Sequence, residues 1–335
     1  GSGPREGSPV DLATRPAVEK PRGQEGITPV KIKIDSTDED GTAEVRTIEQ
    51  ITAVVLGDKE IPVASCPVTF TLGNPEGLDD AFIAVNEDRA ALDGGPAQLK
   101  LKTDGDGRAT VFLKLSSSVG PNTVEAQVDG LSPVSYTIES FSSLVSRVEV
   151  SPQDKQYLTA QQVPFTVKVF DSYNNTVSGT EIALSLQMHL QQTGEWEVVD
   201  NAHPKTDAEG QLVQAFTMPT RGHSKCRLEI THQESGFADY IEFNVAPGET
   251  NSVLFIPSGG EVSAGSDFAL KARIMDEFDN PIDGIEARIT LVSSSGGDWI
   301  LQEPPSTVTD EDGSVSLTVT PPADPGATAS LKFVS

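Results

Sequence analysis

One short phrase recurs at a fixed interval along the chain: Thr103-Asp104-Gly105-Asp106-Gly107, Thr206-Asp207-Ala208-Glu209-Gly210 and Thr309-Asp310-Glu311-Asp312-Gly313, each copy 103 residues after the last. The phrase has turn chemistry, because an Asp side chain bonds readily to nearby backbone N–H groups and Gly tolerates positive φ. Each copy is followed by apolar residues at alternate positions, the mark of a half-buried strand: Ala109, Val111 and Leu113; Leu212 and Phe216; Val315, Leu317 and Val319. Three tandem units are therefore expected, and a repeat of this kind dictates the fold before any other signal is weighed.

A second alignment supports the same division. Gly57 to Leu72 matches Asp171 to Leu186 and Asp276 to Leu291 without a gap, and the apolar positions coincide: Val63, Val177 and Ile282; Phe70, Leu184 and Ile289; Leu72, Leu186 and Leu291. Each match reads as strand, loop, strand. At 335 residues the chain holds three units of about 100 residues, the commonest domain size, each large enough for its own core. Alternation such as Phe165, Val167 and Val169 against Thr166 and Lys168 has period two, and no sustained 3.6-residue period competes with it. Short strands between Gly and Pro turns predict antiparallel sandwiches.

The clearest unit reads as seven strands: Arg147 to Ser151, Phe165 to Phe170, Glu181 to Met188, Trp196 to Val199, Leu212 to Met218, Cys226 to Thr231 and Tyr240 to Val245. The connections at Ser140 to Ser146 and Pro247 to Ser252 are short, so successive domains are expected to touch and form a semi-rigid, extended array. The first unit has about eleven extra residues within Gly73 to Ala97, read as a lengthened loop and a candidate binding site. The third ends after the counterpart of Cys226 to Thr231, so its last strand is expected to be missing.

Residues 1–26 are rich in Pro, Gly and charge and read as a disordered linker or a segment added in expression. The chain begins Gly1-Ser2-Gly3 without Met and carries no apolar run long enough to span a membrane, which suggests a piece of a larger protein. The net charge is −26, from 50 acidic and 24 basic residues, which argues against nucleic-acid partners. Cys66 and Cys226 share strand phase with apolar neighbours in different units, so both are expected to be buried, reduced thiols. His189, His203, His223 and His232 all fall in the second unit but lack the close pairing of a zinc site, and no nucleophile elbow or phosphate-binding loop occurs. No cofactor is expected. Clustered carboxylates at Asp104 and Asp106 and at Asp276 and Asp279 are the candidate metal ligands, with calcium as the ion; ordinary turn chemistry explains the same residues, and none completes an EF-hand.

The phrase Phe165-Thr166-Val167-Lys168-Val169-Phe170-Asp171-Ser172-Tyr173-Asn174-Asn175, the Thr-Asp-x-Asp/Glu-Gly turn, and Gly120, Gly222 and Gly326 before the following strand resemble bacterial immunoglobulin-like repeats of the invasin and intimin type, over residues 27–335. Filamin repeats and the macroglobulin domains of complement-like proteins share similar phrasing and stay open beside it. The resemblance implies an all-β chain of three tandem immunoglobulin-like antiparallel sandwiches, at 27–140 with the insertion, 141–247 and 248–335. It implies a non-enzymatic stalk or adhesin module of a bacterial surface or secreted protein, anchored at the outer membrane in the full-length molecule and adjoining further such domains. The loops differ in length between units and no lectin-like cap follows, so an adhesive tip is not implied. Two rival readings are a module that binds a protein or cell-surface ligand through the insertion, and a non-catalytic accessory region of a large extracellular enzyme.

Overall fold

A computed structural model of the chain describes residues 26–36, 40–74, 76–302 and 307–334, so the expectation for residues 1–25 lies outside the described residues. The chain divides into two compact units, Gly1–Ser143 and Leu144–Ser335. No helix among the described residues is long and apolar enough to cross a membrane.

Unit 1 contains β1 (Lys31–Ser36), β2 (Thr42–Glu44), β3 (Ile48–Leu56), β4 (Pro67–Leu72), β5 (Phe82–Ala84), α1 (Glu87–Ala90), β6 (Gln98–Lys102), β7 (Arg108–Lys114), β8 (Gly120–Gln127) and β9 (Val134–Phe141). A four-stranded sheet, β1-β3-β7-β5, faces a five-stranded sheet, β2-β9-β8-β4-β6. The alternating residues Ile51, Ala53 and Val55 of β3 and Val111 and Leu113 of β7 meet Val68 and Phe70 of β4 and Val124 and Ala126 of β8 in the core between them.

The extra residues of unit 1 are a folded extension, not the bare loop expected from their length. Ile83 of β5 points into the main core, while Phe82 and Ala84 on its other side pack with Ala90, Ile48 and Phe112 as a separate apolar cluster. β5 adds an edge to the sheet by pairing with β7, and Asp80 accepts hydrogen bonds from the Ser116 hydroxyl at 2.5 Å and the Ser117 N–H at 3.1 Å. Four consecutive apolar or small residues, Ala81 to Ala84, bury too much surface to remain a solvated loop.

Unit 2 contains β10 (Val145–Ser151), β11 (Gln156–Leu158), β12 (Gln162–Asp171), β13 (Ala183–His189), β14 (Trp196–Ala202), β15 (Gln211–Thr217), β16 (Ser224–His232), β17 (Phe237–Ala246), β18 (Ser252–Ile256), β19 (Phe268–Met275), β20 (Arg288–Ser295), β21 (Ile300–Leu301), β22 (Ser314–Thr320) and β23 (Thr328–Val334). Its upstream half pairs the sheet β10-β12-β15 with the sheet β11-β17-β16-β13-β14 around Phe165, Val167, Leu186, Phe216, Leu228 and Phe243. The downstream half pairs β18-β19-β22-β21 with β20-β23 around a separate cluster of Leu270, Ala272, Ile274, Leu317 and Val319.

The upstream half has one strand more than the seven read from sequence. β11 is three residues long and runs parallel to β17, with Tyr157 directed inward against Phe165 and Phe243 in edge-to-face contacts at centroid distances of 5.9 and 5.0 Å. A three-residue strand with one inward side chain has no periodicity to detect. In the downstream half, Leu291, aligned with the fully buried Leu186, is 37% exposed. Its sheet has only two strands among the described residues, so the surface that covers Leu186 has no equivalent there.

The repeated turn is built identically in all three places. The hydroxyls of Thr103, Thr206 and Thr309 donate to the carbonyls of Val63, Val177 and Ile282 at 2.6, 2.8 and 2.9 Å. The same oxygens accept the N–H of Cys66, Thr180 and Ile285. One hydroxyl thus stitches the turn to the strand–loop–strand segment, and these are the two sequence repeats recognised independently.

Candidate functional site

A network of side-chain hydrogen bonds lies at the joint between the two sheet pairs of unit 2. The loop after β19 opens with Asp276, whose Oδ1 accepts the N–H groups of Phe278 and Asn280, both at 2.9 Å. Asp171 makes the same loop after β12, accepting from Tyr173 and Asn175 at 2.9 and 2.8 Å. An Asp whose side chain mimics a turn in this way forces the chain to reverse, which explains both its place and its recurrence.

The second oxygen of Asp276 reaches the upstream half. Oδ2 accepts the Thr159 hydroxyl, from the loop after β11, at 3.0 Å, and the Gly248 N–H, just after β17, at 2.9 Å. Asn280 extends the contact: its Nδ2 donates to the Thr220 carbonyl at 2.7 Å and its Oδ1 accepts the Gly222 N–H at 2.8 Å. His223 completes it, with Nε2–H donating to the Pro281 carbonyl at 2.9 Å and Asp283 Oδ1 3.8 Å away. A Cβ on Gly222 would lie 3.0 Å from Pro247 and 3.1 Å from Asn280, so this approach is close. Burial alone would raise the Asp276 carboxyl, which is 1% exposed, but donation from the Asn280 side chain and from the N–H groups of Gly248, Asn280 and Phe278 outweighs it and holds the pKa down at about 2. The carboxylate is a charged hydrogen-bond acceptor shared by the two halves, the strong kind of bond that fixes geometry.

No family model matches the chain. Among solved structures, the Escherichia coli adhesin FdeC superposes with a TM-score of 0.51 at 14% identity, over 90% of this chain and 91% of that one. The fold is that of bacterial, invasin-type immunoglobulin-like tandem domains. Invasin, described as a bacterial integrin-binding protein, aligns over 91% of this chain and 60% of its own at 15% identity, with a TM-score of 0.41. The Yersinia pseudotuberculosis adhesin InvE aligns over 64% and 58% at 16% identity, with a TM-score of 0.29. The chain thus spans about three fifths of the invasin and InvE chains.

On this immunoglobulin-like frame the four carboxylates singled out from sequence have the following settings. Asp104 Oδ1 accepts the N–H groups of Asp106 and Arg108, both at 2.9 Å, closing the turn of unit 1, with Asp106 exposed at its tip. In unit 2, Asp276 is the joint acceptor, and Asp279, at φ +63°, donates its N–H to the Asp276 carbonyl. Among the described residues no group of three or more His, Cys, Asp or Glu side chains converges as a metal ligand set. A cavity of about 470 Å³ at the joint is lined by Thr159, Gln161, Gly248, Glu249, Asn251 and Glu277.

The histidines are dispersed. His189 lies edge-on to Trp196, His203 is 3.9 Å from Glu181, and His223 belongs to the joint. His232 is buried, with Nδ1 accepting the Ser235 N–H and Nε2 bonded to the Thr180 hydroxyl at 2.9 Å. Both cysteines are buried free thiols in separate cores, and burial pushes the Cys226 thiol up to about 12. Sequence reasoning missed the joint partners Thr159, Thr220 and Gly248, since each is a small loop residue with no pattern of its own, and it read Gly222 only as a repeated glycine before a strand. The one available signal was the short Pro247 to Ser252 connection, which brings β18 close behind β17.

Proposed function

We propose that this chain is a non-enzymatic spacing module of a bacterial surface or secreted adhesin, in which three tandem immunoglobulin-like domains, at 27–140, 141–247 and 248–335, hold binding regions of the full-length protein away from the cell. The observation that carries this reading is the joint itself. A spacer transmits position only if its joints resist bending. Here a buried, ionised carboxylate and an amide side chain bind a hydroxyl and three backbone groups on the opposite half, contacts with defined direction. The fold likeness to an adhesin of nearly equal extent points the same way. An outer-membrane location, and protein or cell-surface ligands for the full-length molecule, follow from the same reading.

The test is made in the full-length parent on cells. Deleting residues 27–335 should reduce adhesion, and an unrelated immunoglobulin-like array of equal length should restore it. If the unrelated array failed while the original succeeded, the segment would itself carry a ligand site, with the β5–α1 extension of unit 1 the first place to mutate.

A further inference from the structure

The strand that follows the Thr-Asp turn does not have the same neighbours in every repeat. β7 lies between β3 and β5, and β22 lies between β19 and β21, whereas β15 pairs with β12 alone among the described residues and so forms an edge of its sheet. The difference arises in the stretch ahead of each strand. In unit 1 that stretch supplies both β5, which pairs with β7, and β6, which pairs with β4; ahead of β15 it supplies only β14, which pairs with β13 in the facing sheet.

The open edge has a definite phase. The Met218 N–H donates to the Gln161 carbonyl and the Gly210 carbonyl accepts the Val169 N–H, so the backbone groups of Leu212, Gln214 and Phe216 turn toward β12 and those of Val213, Ala215 and Thr217 turn outward. Pro164 of β12, which has no N–H to give, stands opposite Ala215, in keeping with that phase. An unpaired row of N–H and C=O groups is a template for another strand, and proteins usually blunt it with charge or Pro. β15, Gln211-Leu212-Val213-Gln214-Ala215-Phe216-Thr217, has neither, although 22% of the chain is charged. The edge strands β10 and β14 of unit 2 do carry charge, Arg147 and Glu149 on one and Glu197 and Asp200 on the other.

The other two repeats show what fits beside such a strand. Ile83 stands opposite Leu113 and Leu301 opposite Val319, each packed against its own core, and the 103-residue interval makes Phe216 the counterpart of Leu113 and Val319. An added strand must therefore run antiparallel to β15 with an aliphatic residue opposite Phe216. β15 itself meets that requirement. Turned antiparallel about Gln214, a second β15 sets Leu212 opposite Phe216 and Val213 opposite Ala215, so the outward backbone groups of Val213 and Ala215 face each other and no like charges meet. Beyond the strand, the acidic turn of Asp207 and Glu209 falls at the end where the other copy continues toward Arg221, which is of opposite charge.

We propose that two copies of this chain associate edge to edge through β15, forming a continuous six-stranded sheet β10-β12-β15-β15-β12-β10 across a two-fold axis. The contact is isologous and closes on itself. Each copy carries a charge of −26, so the dimer forms in salt that screens the long-range repulsion.

Sedimentation of the whole chain over the micromolar to millimolar range, in near-physiological salt, tests this together with residue-resolved amide exchange. The expected result is a monomer–dimer equilibrium in which the amides of Val213, Ala215 and Thr217 gain protection as dimer forms, while those of Leu212, Gln214 and Phe216, already turned to β12, change little. Val213 and Ala215 are exposed, so both can be replaced without touching the core. Val213→Lys with Ala215→Lys sets two pairs of like charges directly opposite each other and should weaken dimerisation at least about tenfold; Val213→Lys with Ala215→Glu sets opposite charges at the same sites and should retain it. A monomer at every concentration, association that responds equally to the two double variants, or outward amides already protected in the dilute monomer, as when the same chain covers the edge, would each overturn the proposal.

Discussion

The Thr159 hydroxyl donates to Asp276 Oδ2 at 3.0 Å, a contact between residues 117 positions apart that joins the two halves of unit 2. Because the Asp276 carboxyl is held at about 2, below its ordinary 3.8, the folded state favours the ionised form. A depressed folded pKa gives stability that is complete above the unfolded pKa and is lost as pH falls through the folded one, so the window here is roughly pH 4 to 2, worth about 2 kcal/mol. Asp276→Asn removes that dependence. Urea unfolding at a series of pH values should show a stability gap between wild type and variant at neutral pH that narrows below pH 4. A gap that stays constant to pH 2 would refute the role assigned to the charge.

The repeated turn makes a sharper demand on backbone. Gly107, Gly210 and Gly313 have φ near +70°, and a Cβ on Gly313 would lie 2.7 Å from both the Ile274 carbonyl and the Ile282 N–H. Gly313→Ala should therefore cost about 2–4 kcal/mol, from left-handed strain together with displacement of a strand contact. Gly105, in the same kind of turn but with nothing within 4 Å and no positive φ, is the control, and Gly105→Ala should be close to neutral. Equal losses at the two positions would mean that the close approach is not what selects glycine.

These two turns mark the limit of what could be read from the chain. The Thr-Asp phrase and the matched strands were legible because each copy repeats the same local chemistry, one hydroxyl and one carboxylate bonding to backbone a few residues away or across one loop. Asp276 was legible as special but not as to why: its loop bonds are local, whereas its partners Thr159 and Gly248 are set by how the two halves meet. β11 and β5 were missed because short strands are defined by their neighbours, here β17 and β7, and not by their own pattern.

Calcium discriminates between the two readings of the acidic loops. A site in the folded state would raise the melting temperature as ligand binds. With Asp276 already accepting from Phe278, Asn280, Gly248 and Thr159, and Asp104 from two N–H groups, millimolar calcium should move the transition by no more than about 1 °C. A rise of many degrees, abolished by Asp279→Ala, would show that the loops hold the ion.

Cys226 offers a probe of opening. It is fully buried with its thiol pushed up to about 12, so alkylation at pH 8 should be negligible in the native protein and should track unfolding as urea is added. Rapid labelling of Cys226 without urea would contradict its placement in the upstream core.

The two tryptophans fall one in each half of unit 2 and allow the halves to be followed separately. Trp196 lies on β14 of the upstream half with the Arg227 guanidinium 4.4 Å from its ring centre, and Trp299 lies against the downstream core. The upstream core holds fully buried Phe165, Leu186, Cys226, Leu228 and Val245 and nearly buried Phe216; its downstream counterpart leaves Leu291 37% exposed and Phe268, Leu331 and Phe333 only partly covered. Each large side chain left half-exposed forgoes roughly 1 kcal/mol, so four such positions outweigh the contribution of about 2 kcal/mol attributed to the Asp276 charge at the joint. In dilute protein the Trp196→Phe variant, reporting through Trp299, should therefore unfold at a lower urea concentration than the Trp299→Phe variant, reporting through Trp196. Coincident midpoints in dilute solution would show instead that the joint couples the halves into one cooperative unit, and that the two-stranded sheet is no weaker than the five-stranded one beside it.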